Sequence, residues 1–145
     1  MAVVLGSEAT EHVTIQLLRR SHPTATDFWD GNWIESVIQV TAGRFRGEYN
    51  ASLRSDEFQR FQSQLRALET TLKGTATLST LEEQVRLDLD ADGKGHLAVR
   101  GVAFDEAGTG NALQFHFELD QTYLTGLLRR LDEALAAFPV LGQPG

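Results

Sequence analysis

Residues 45–72, FRGEYNASLRSDEFQRFQSQLRALETTL, decide the fold, because the period of their apolar residues changes in the middle. Before residue 54, apolar and polar residues keep opposite parities, which predicts a strand with one solvated face. Its predicted inward residues are Phe45, Tyr49, Ala51 and Leu53. From residue 58, apolar residues recur at every third or fourth position, which predicts an amphipathic helix. Its predicted core stripe is Phe58, Phe61, Leu65, Leu68 and Leu72.

Both ends of this helix carry sequence signals. Ser55 is the predicted N-cap, because its hydroxyl can accept a hydrogen bond from a first-turn N–H group. Asp56 and Glu57 follow at positions where carboxylates suit the helix dipole. Gly74 is the predicted C-cap, since glycine readily adopts the left-handed conformation that ends many helices.

Further strands are predicted on both sides of this unit. Residues 12–19 and 33–41 precede it, and residues 75–80, 85–90, 96–104 and 112–119 follow it. The apolar parity changes near Gly101, which predicts a β-bulge there. Asp120 is the predicted cap of a second helix, and Pro139 prevents its continuation. The apolar stripe of that helix is Leu124, Leu127, Leu128, Leu131, Leu135 and Phe138.

The order of strands, helix, strands and helix predicts an α+β fold. Successive strands with short connections pair antiparallel, so we expect a largely antiparallel β-sheet with two amphipathic helices packed on one face. Apolar periodicity recurs along the chain without a linker, which predicts one domain over residues 1–145. Four residues on the two helix stripes are predicted to be core: Phe61, Leu65, Leu127 and Leu131.

Composition excludes several classes of function. The chain has 145 residues and no cysteine, which excludes disulfides, cysteine-ligated metals and thiol catalysis. Its net charge of −7 argues against nucleic-acid and anionic-membrane partners and favours a basic partner. Neither a membrane-spanning apolar segment nor a secretion signal is found in the sequence, so we expect a cytoplasmic protein.

An aspartate-rich hairpin, residues 88–93, matches the opening of a calcium-binding loop. The match ends there, because the twelfth position is Val99 where calcium loops need a bidentate glutamate. The alternative is a solvated turn, in which Asp92 and Gly93 supply the turn chemistry. Motifs of hydrolases, zinc proteases and nucleotide-binding enzymes are absent from the sequence, so we expect no enzyme, no metal and no cofactor.

Polar residues of three neighbouring strands are predicted to share one solvated face. If Asp88 lies opposite His96, a polar patch forms that could bind a protein or hold an acid/base pair. The members of this patch are Arg86, Asp88, His96, Arg100, His116 and Glu118. A second candidate surface is the segment 27–33, DFWDGNW, where Trp29 and Trp33 are either buried or exposed as binding anchors.

Four motifs follow one another along the chain: DFWDGNW at 27–33, a strand from Gly43-Arg44-Phe45 to Leu53 that leads into the Phe58/Phe61 helix, DGKGH at 92–96, and FELDQTYL at 117–124 before a helix ending in Phe138-Pro139. Together they resemble the WapI-family immunity proteins over nearly the whole chain. These are small cytoplasmic proteins of bacteria, encoded beside polymorphic toxins. The resemblance implies neutralisation of a cognate toxin's C-terminal domain by direct binding, and it offers no catalytic residue to carry over.

We therefore expect a non-catalytic protein-binding module. The candidate partner is a basic toxin domain, and the oligomeric state is left open. The alternative is a small-ligand or metal-binding domain built on the 88–93 hairpin, with or without weak hydrolytic activity. The predicted partner-binding residues are Asp88, Asp90, Asp92, His96, His116, Glu118, Trp29 and Trp33.

Overall fold

The computed structural model describes residues 1–7 and 9–145, which form eight strands and three helices. The strands are β1 (Ala2–Gly6), β2 (His12–Arg20), β3 (Trp33–Ala42), β4 (Phe45–Arg54), β5 (Lys73–Leu78), β6 (Val85–Asp92), β7 (His96–Phe104) and β8 (Ala112–Asp120). The helices are α1 (Phe28–Gly31), α2 (Ser55–Thr71) and α3 (Tyr123–Ala137). The α+β class is therefore confirmed.

The strands form two antiparallel four-stranded sheets rather than one. The first has the order β1-β2-β3-β4 and the second β5-β6-β7-β8, so each sheet is a run of consecutive strands followed by a long helix. The two long helices pack on each other and join the two sheets: α2 contacts β5 of the second sheet, and α3 contacts β1 of the first. The Tyr123 hydroxyl also donates to the carbonyl oxygens of Val4 and Gly6 in β1.

The core lies where both sheets meet the helices. Phe61, Leu65, Leu127 and Leu131 are all buried, which confirms their prediction as core residues. Buried side chains from both sheets belong to the same hydrophobic cluster. The helix stripes bury themselves because apolar area removed from water contributes roughly 25 cal/mol per Å².

The helix caps differ from the sequence prediction. Helix α2 already includes Ser55, and its first turn is held by the Glu57 carboxylate, which accepts a 2.8 Å hydrogen bond from the Arg54 N–H. Leu72, at φ 61°, adopts the left-handed conformation that ends the helix, whereas Gly74 lies inside β5. Asp120 is the last residue of β8, and its carboxylate accepts a hydrogen bond from the Thr122 N–H just before α3.

The predicted bulge at Gly101 is wrong. The register of β7 is uninterrupted against both β6 and β8, so Gly101 keeps the inward parity while Val102 and Phe104 take the outer one. The reason lies on the neighbouring strand: Phe115 pairs with Gly101, and its ring fills the space that a Cβ atom would need. Glycine here makes room for a core aromatic side chain.

Two residues of β4 also reverse their predicted positions. Phe45, predicted to point inward, is 68% exposed at the end of the β3–β4 hairpin. Arg54, on the polar parity, is only 2% exposed. Both lie at strand ends, where contacts with other elements decide burial more than alternation does.

Candidate functional site

The outer face of β6, β7 and β8 carries most of the residues predicted to bind a partner. We call it the charged face and define it by Arg86, Asp88, Asp90, Asp92, His96, Arg100, His116, Glu118 and Asp120. Side chains of one parity share a face of a sheet, and all nine residues have the outward parity of their strands. Six of the eight predicted binding residues therefore lie together on this face.

The register within the charged face differs from the one predicted. Asp88 lies opposite Arg100, and Arg100 lies opposite His116. His96 lies beside the hairpin turn, where its ring Nδ1 is 3.0 Å from the Asp92 carboxylate. The turn itself is tightened by Asp92, whose Oδ1 accepts hydrogen bonds from the N–H groups of Lys94 and His96. These bonds, led by the one from Lys94, lower the pKa of Asp92.

Two carboxylates of the charged face are already neutralised within the chain. Asp88 accepts a 2.7 Å hydrogen bond from Thr77 and lies 3.2 Å from Arg86 Nε. Partial burial raises the pKa of Asp88, but the hydrogen bonds from Thr77 and Arg86 lower it by more, so it stays below its usual range. Asp90 accepts a 2.6 Å bond from Thr75 and lies 2.9 Å from Arg100 Nη2.

Glu118 is different, because it lies opposite Ala98 and has no side-chain neighbour there to pair with. Among the residues that the structure describes, it forms neither an ion pair nor a side-chain hydrogen bond. It is also exposed. The unbalanced negative charge of the face therefore lies toward Glu118 and the hairpin end, rather than at Asp88 and Asp90.

A groove of about 690 Å³ runs across this face. On β7, Arg100 lines it between the small side chains of Ala98 and Val102, and charged or polar side chains of β6 and β8 border it. These bordering residues are Arg86, Asp88, Gln114, His116 and Glu118. A wide groove with a mixed polar and apolar lining suits the side chains of a protein partner.

The arrangement offers little to a metal ion. Within residues 1–7 and 9–145, no group of three or more His, Asp or Glu side chains is placed to hold one. In the 88–93 hairpin, Asp88 and Asp90 already have threonine and arginine partners. Asp92 is occupied by the turn and by His96.

Trp29 and Trp33 lie apart from the charged face, in the α1–β3 segment, where they surround Arg54. The Arg54 guanidinium carbon is 5.1 Å from the ring centre of Phe28, 5.5 Å from that of Trp29 and 4.9 Å from that of Trp33. The same group donates to the carbonyl oxygens of Phe28 and Trp29, both at 2.7 Å, and to Asp56 at 3.0 Å. Trp29 remains 56% exposed, whereas Trp33 is partly buried. DFWDGNW thus forms an aromatic cage for an internal cation.

Sequence reasoning missed Gln84, which connects the two sheets. Its side-chain amide accepts from the Ser52 N–H and donates to the Asn50 carbonyl, so it occupies the edge of β4 as a short strand would. Its backbone carbonyl accepts bonds from the Tyr49 hydroxyl and the Phe104 N–H. A lone glutamine in a loop carries no sequence signal for this role.

Glu57 is a second buried polar residue that sequence reasoning did not single out. Its carboxylate accepts from the N–H groups of Arg54 and Leu81, at 2.8 and 2.5 Å. Burial raises the pKa of Glu57 to about 7, although these two hydrogen bonds lower it. The residue thus ties the 81–84 loop to the start of α2.

Fold and site together define a small α+β protein with two antiparallel sheets, one of which presents a grooved, charged face. The chain belongs to the immunity protein WapI-like family, whose model matches residues 4–139. The resemblance seen in the sequence is thereby confirmed.

Other comparisons are more distant. Among solved structures, the chain is similar to one from the crystal structures of Trypanosoma bruciei MRP1/MRP2, with a TM-score of 0.49 and 11% identity, over 94% of this chain and 83% of that one. No curated protein matches the chain. In the described part of the chain, no helix has the length and hydropathy needed to cross a bilayer.

Proposed function

We propose that this chain is a non-catalytic cytoplasmic module that neutralises a toxin domain by binding it directly. The family match over residues 4–139 is the observation that carries the proposal. An immunity protein acts on its own toxin, so the partner is a protein, and neither a cofactor nor a nucleic acid is needed.

The charged face of the second sheet is the proposed contact surface. It combines a groove of about 690 Å³ with an exposed carboxylate, Glu118, that lacks an ion-pair partner in the described residues. A net charge of −7 attracts a basic partner during the diffusional approach, and charges at the border of an interface act mainly on the association rate. The exposed ring of Trp29 offers a second candidate surface, although one part of this ring already contacts the Arg54 guanidinium.

The decisive experiment measures stoichiometry. The protein is titrated into the C-terminal domain of its cognate toxin, and toxin activity is followed at each ratio. Binding predicts a linear loss of activity that ends at a fixed molar ratio and does not progress with time. An enzyme that modifies or degrades the toxin would act well below that ratio and would progress with time.

Co-purification provides the matching structural test. We expect the two chains to elute together from a size-exclusion column, with the toxin domain absent from the complex when an unrelated acidic protein of similar size replaces this chain. Failure of the pair to associate, while toxicity is still suppressed in cells, would contradict direct binding.

A further inference from the structure

The first half of β4 is an open strand edge. β4 pairs only with β3, so its other side has no neighbouring strand in the described residues. In an antiparallel ladder, the backbone groups of successive residues point alternately toward and away from the partner strand. Gln84 binds the Asn50 carbonyl and the Ser52 N–H from outside the sheet. The backbone N–H and C=O groups of the even-numbered residues of β4 therefore point away from β3. Arg46 and Glu48 share that parity.

The open edge is short and has defined ends. Gln84 closes it from residue 50 onward, and the β3–β4 turn closes it before residue 45. Between these ends, the outward backbone groups of Arg46 and Glu48 have no hydrogen-bond partner in the part of the chain that the structure describes. An unpaired edge of this kind is a template for another strand.

The side chains along this edge are complementary to themselves. Arg46 and Glu48 are both exposed, carry opposite charges and lie two residues apart on one face. An antiparallel strand of the same sequence, centred on Gly47, places each arginine opposite the glutamate of the other copy. The same register places Phe45 opposite Tyr49 on the other face.

Gly47 suits the centre of such a pairing. Residues 46 and 48 then form the hydrogen-bonded pairs, which leaves the two Gly47 residues as a non-hydrogen-bonded pair with Cα atoms about 4.5 Å apart. Nothing lies within 4 Å of the position that a Cβ atom on Gly47 would occupy. Phe45, at 68% exposure, is the most exposed of the large apolar side chains, so covering it would remove apolar surface from water.

We propose that this edge binds a second copy of the chain, so that two first sheets join into one eight-stranded sheet about a two-fold axis at Gly47. The contact supplies four backbone hydrogen bonds, two Arg46–Glu48 pairs and two Phe45–Tyr49 contacts. The edge binds a second copy rather than a foreign strand, because its charged and aromatic residues are both complementary to the same residues of an antiparallel copy. The charged face belongs to the other sheet, so the dimer is independent of toxin binding.

Charge-swapped variants test the register. Sedimentation velocity over a concentration series is expected to show a reversible dimer for the wild-type chain. Glu48→Arg places two arginines opposite each other and is expected to raise the dimer dissociation constant at least about tenfold, because like charges across an interface repel. Arg46→Glu is expected to do the same, and the double variant Arg46→Glu/Glu48→Arg to restore the dimer. Glu82→Arg, an exposed reversal outside β4, is the matched control and should leave it unchanged.

A single cysteine tests the geometry without relying on affinity. The chain has no cysteine, so Gly47→Cys can form a disulfide only with another copy. Cα atoms about 4.5 Å apart fall within the range that a disulfide spans. We expect this variant to form the covalent dimer at least about tenfold faster than Gly145→Cys, which places a thiol at the chain end. Wild-type protein that stays monomeric up to about 500 µM, with equal rates for the two cysteine variants, would overturn the proposal.

Discussion

The guanidinium carbon of Arg54 lies 4.9 Å from the ring centre of Trp33, and Arg54 is only 2% exposed. A buried cation needs full hydrogen bonding, and Arg54 obtains it from Asp56 and from two carbonyl oxygens of α1. This arrangement joins the start of α2 to the aromatic segment before β3. Together with the hydrogen bond from the Ser55 N–H to the Asn32 carbonyl, Arg54 therefore connects segments that are more than twenty residues apart in sequence.

Replacing Arg54 by lysine is expected to lower the free energy of unfolding by at least about 2 kcal/mol. Lysine cannot reproduce the planar fork that reaches three acceptors at once, so it leaves buried oxygen atoms unpaired. Urea unfolding measures the loss, and tryptophan emission reports the cause, because both tryptophans of the chain surround Arg54. Arg44→Lys, at an exposed position, is the control. Equal stability of the two variants would show that the cage contributes nothing.

Apolar patterning predicts seven of the eight strands, because it depends only on which face is buried, but it does not predict β1. It also placed the charged face correctly despite a wrong register. Asp88 pairs with Arg100 and not with His96, but the error is four residues, and an even shift keeps every side chain on its face. An odd shift would have dispersed the site.

Alternation fails where residues distant in sequence decide whether a side chain is buried. Arg54 has the outward parity and is buried, because an aromatic cage from residues 28–33 covers it. The apolar residues around Gly101 change parity and therefore predict a bulge, whereas in the structure the ring of Phe115 fills the place of the missing side chain. The division into two sheets also depends on α2 and α3 packing together, which no local pattern encodes.

The titration of Glu57 should be visible in the pH dependence of the free energy of unfolding. Burial raises its pKa from the ordinary value of 4.5 to about 7, so the folded protein holds a proton that the unfolded chain has released. The resulting stabilisation is fully present below pH 4.5 and is lost as the pH rises through 7, and it is on the order of 3 kcal/mol. The free energy of unfolding should therefore fall over this window by that contribution.

Glu57→Gln removes the titration, so its unfolding free energy should change less between pH 4.5 and 7 than that of the wild type. The slope is the readout, because the amide also changes the hydrogen bonds to Leu81 and Arg54 at every pH. Glu133→Gln, on the exposed side of α3, should follow the wild-type slope. If the unfolding free energies of wild type and Glu57→Gln changed equally with pH, the raised pKa of Glu57 would be contradicted.

Calcium is expected to have no effect on this protein. Calcium takes six to eight oxygen ligands, whereas Asp88 and Asp90 are engaged by threonine and arginine side chains and Asp92 by its own turn. Titration calorimetry with calcium should be flat at micromolar concentrations, and a chelator should leave the melting temperature unchanged. Saturable binding that disappears in Asp90→Ala would revive the metal-binding alternative.

Reversing the charge of Glu118 is expected to slow association with a basic toxin domain. Glu118 is exposed and has no ion-pair partner among the described residues, so its charge is open to an approaching partner, whereas reversal at Asp88 or Asp90 also breaks an ion pair within the chain. Glu118→Lys should reduce the association rate at low salt and reduce its salt dependence, because screening removes the effect of exposed charges.

The matched control for this prediction is Glu133→Lys, which makes the same change of charge on α3. The triple variant of Asp88, Asp90 and Glu118 to lysine should bind more slowly still, after circular dichroism has shown that the fold survives the loss of the Thr77 and Thr75 bonds. Stopped-flow association at two salt concentrations separates the variants. If Glu118→Lys and Glu133→Lys associate at the same rate at low salt, the charged face is not the contact surface. The exposed ring of Trp29 would then be the next surface to test.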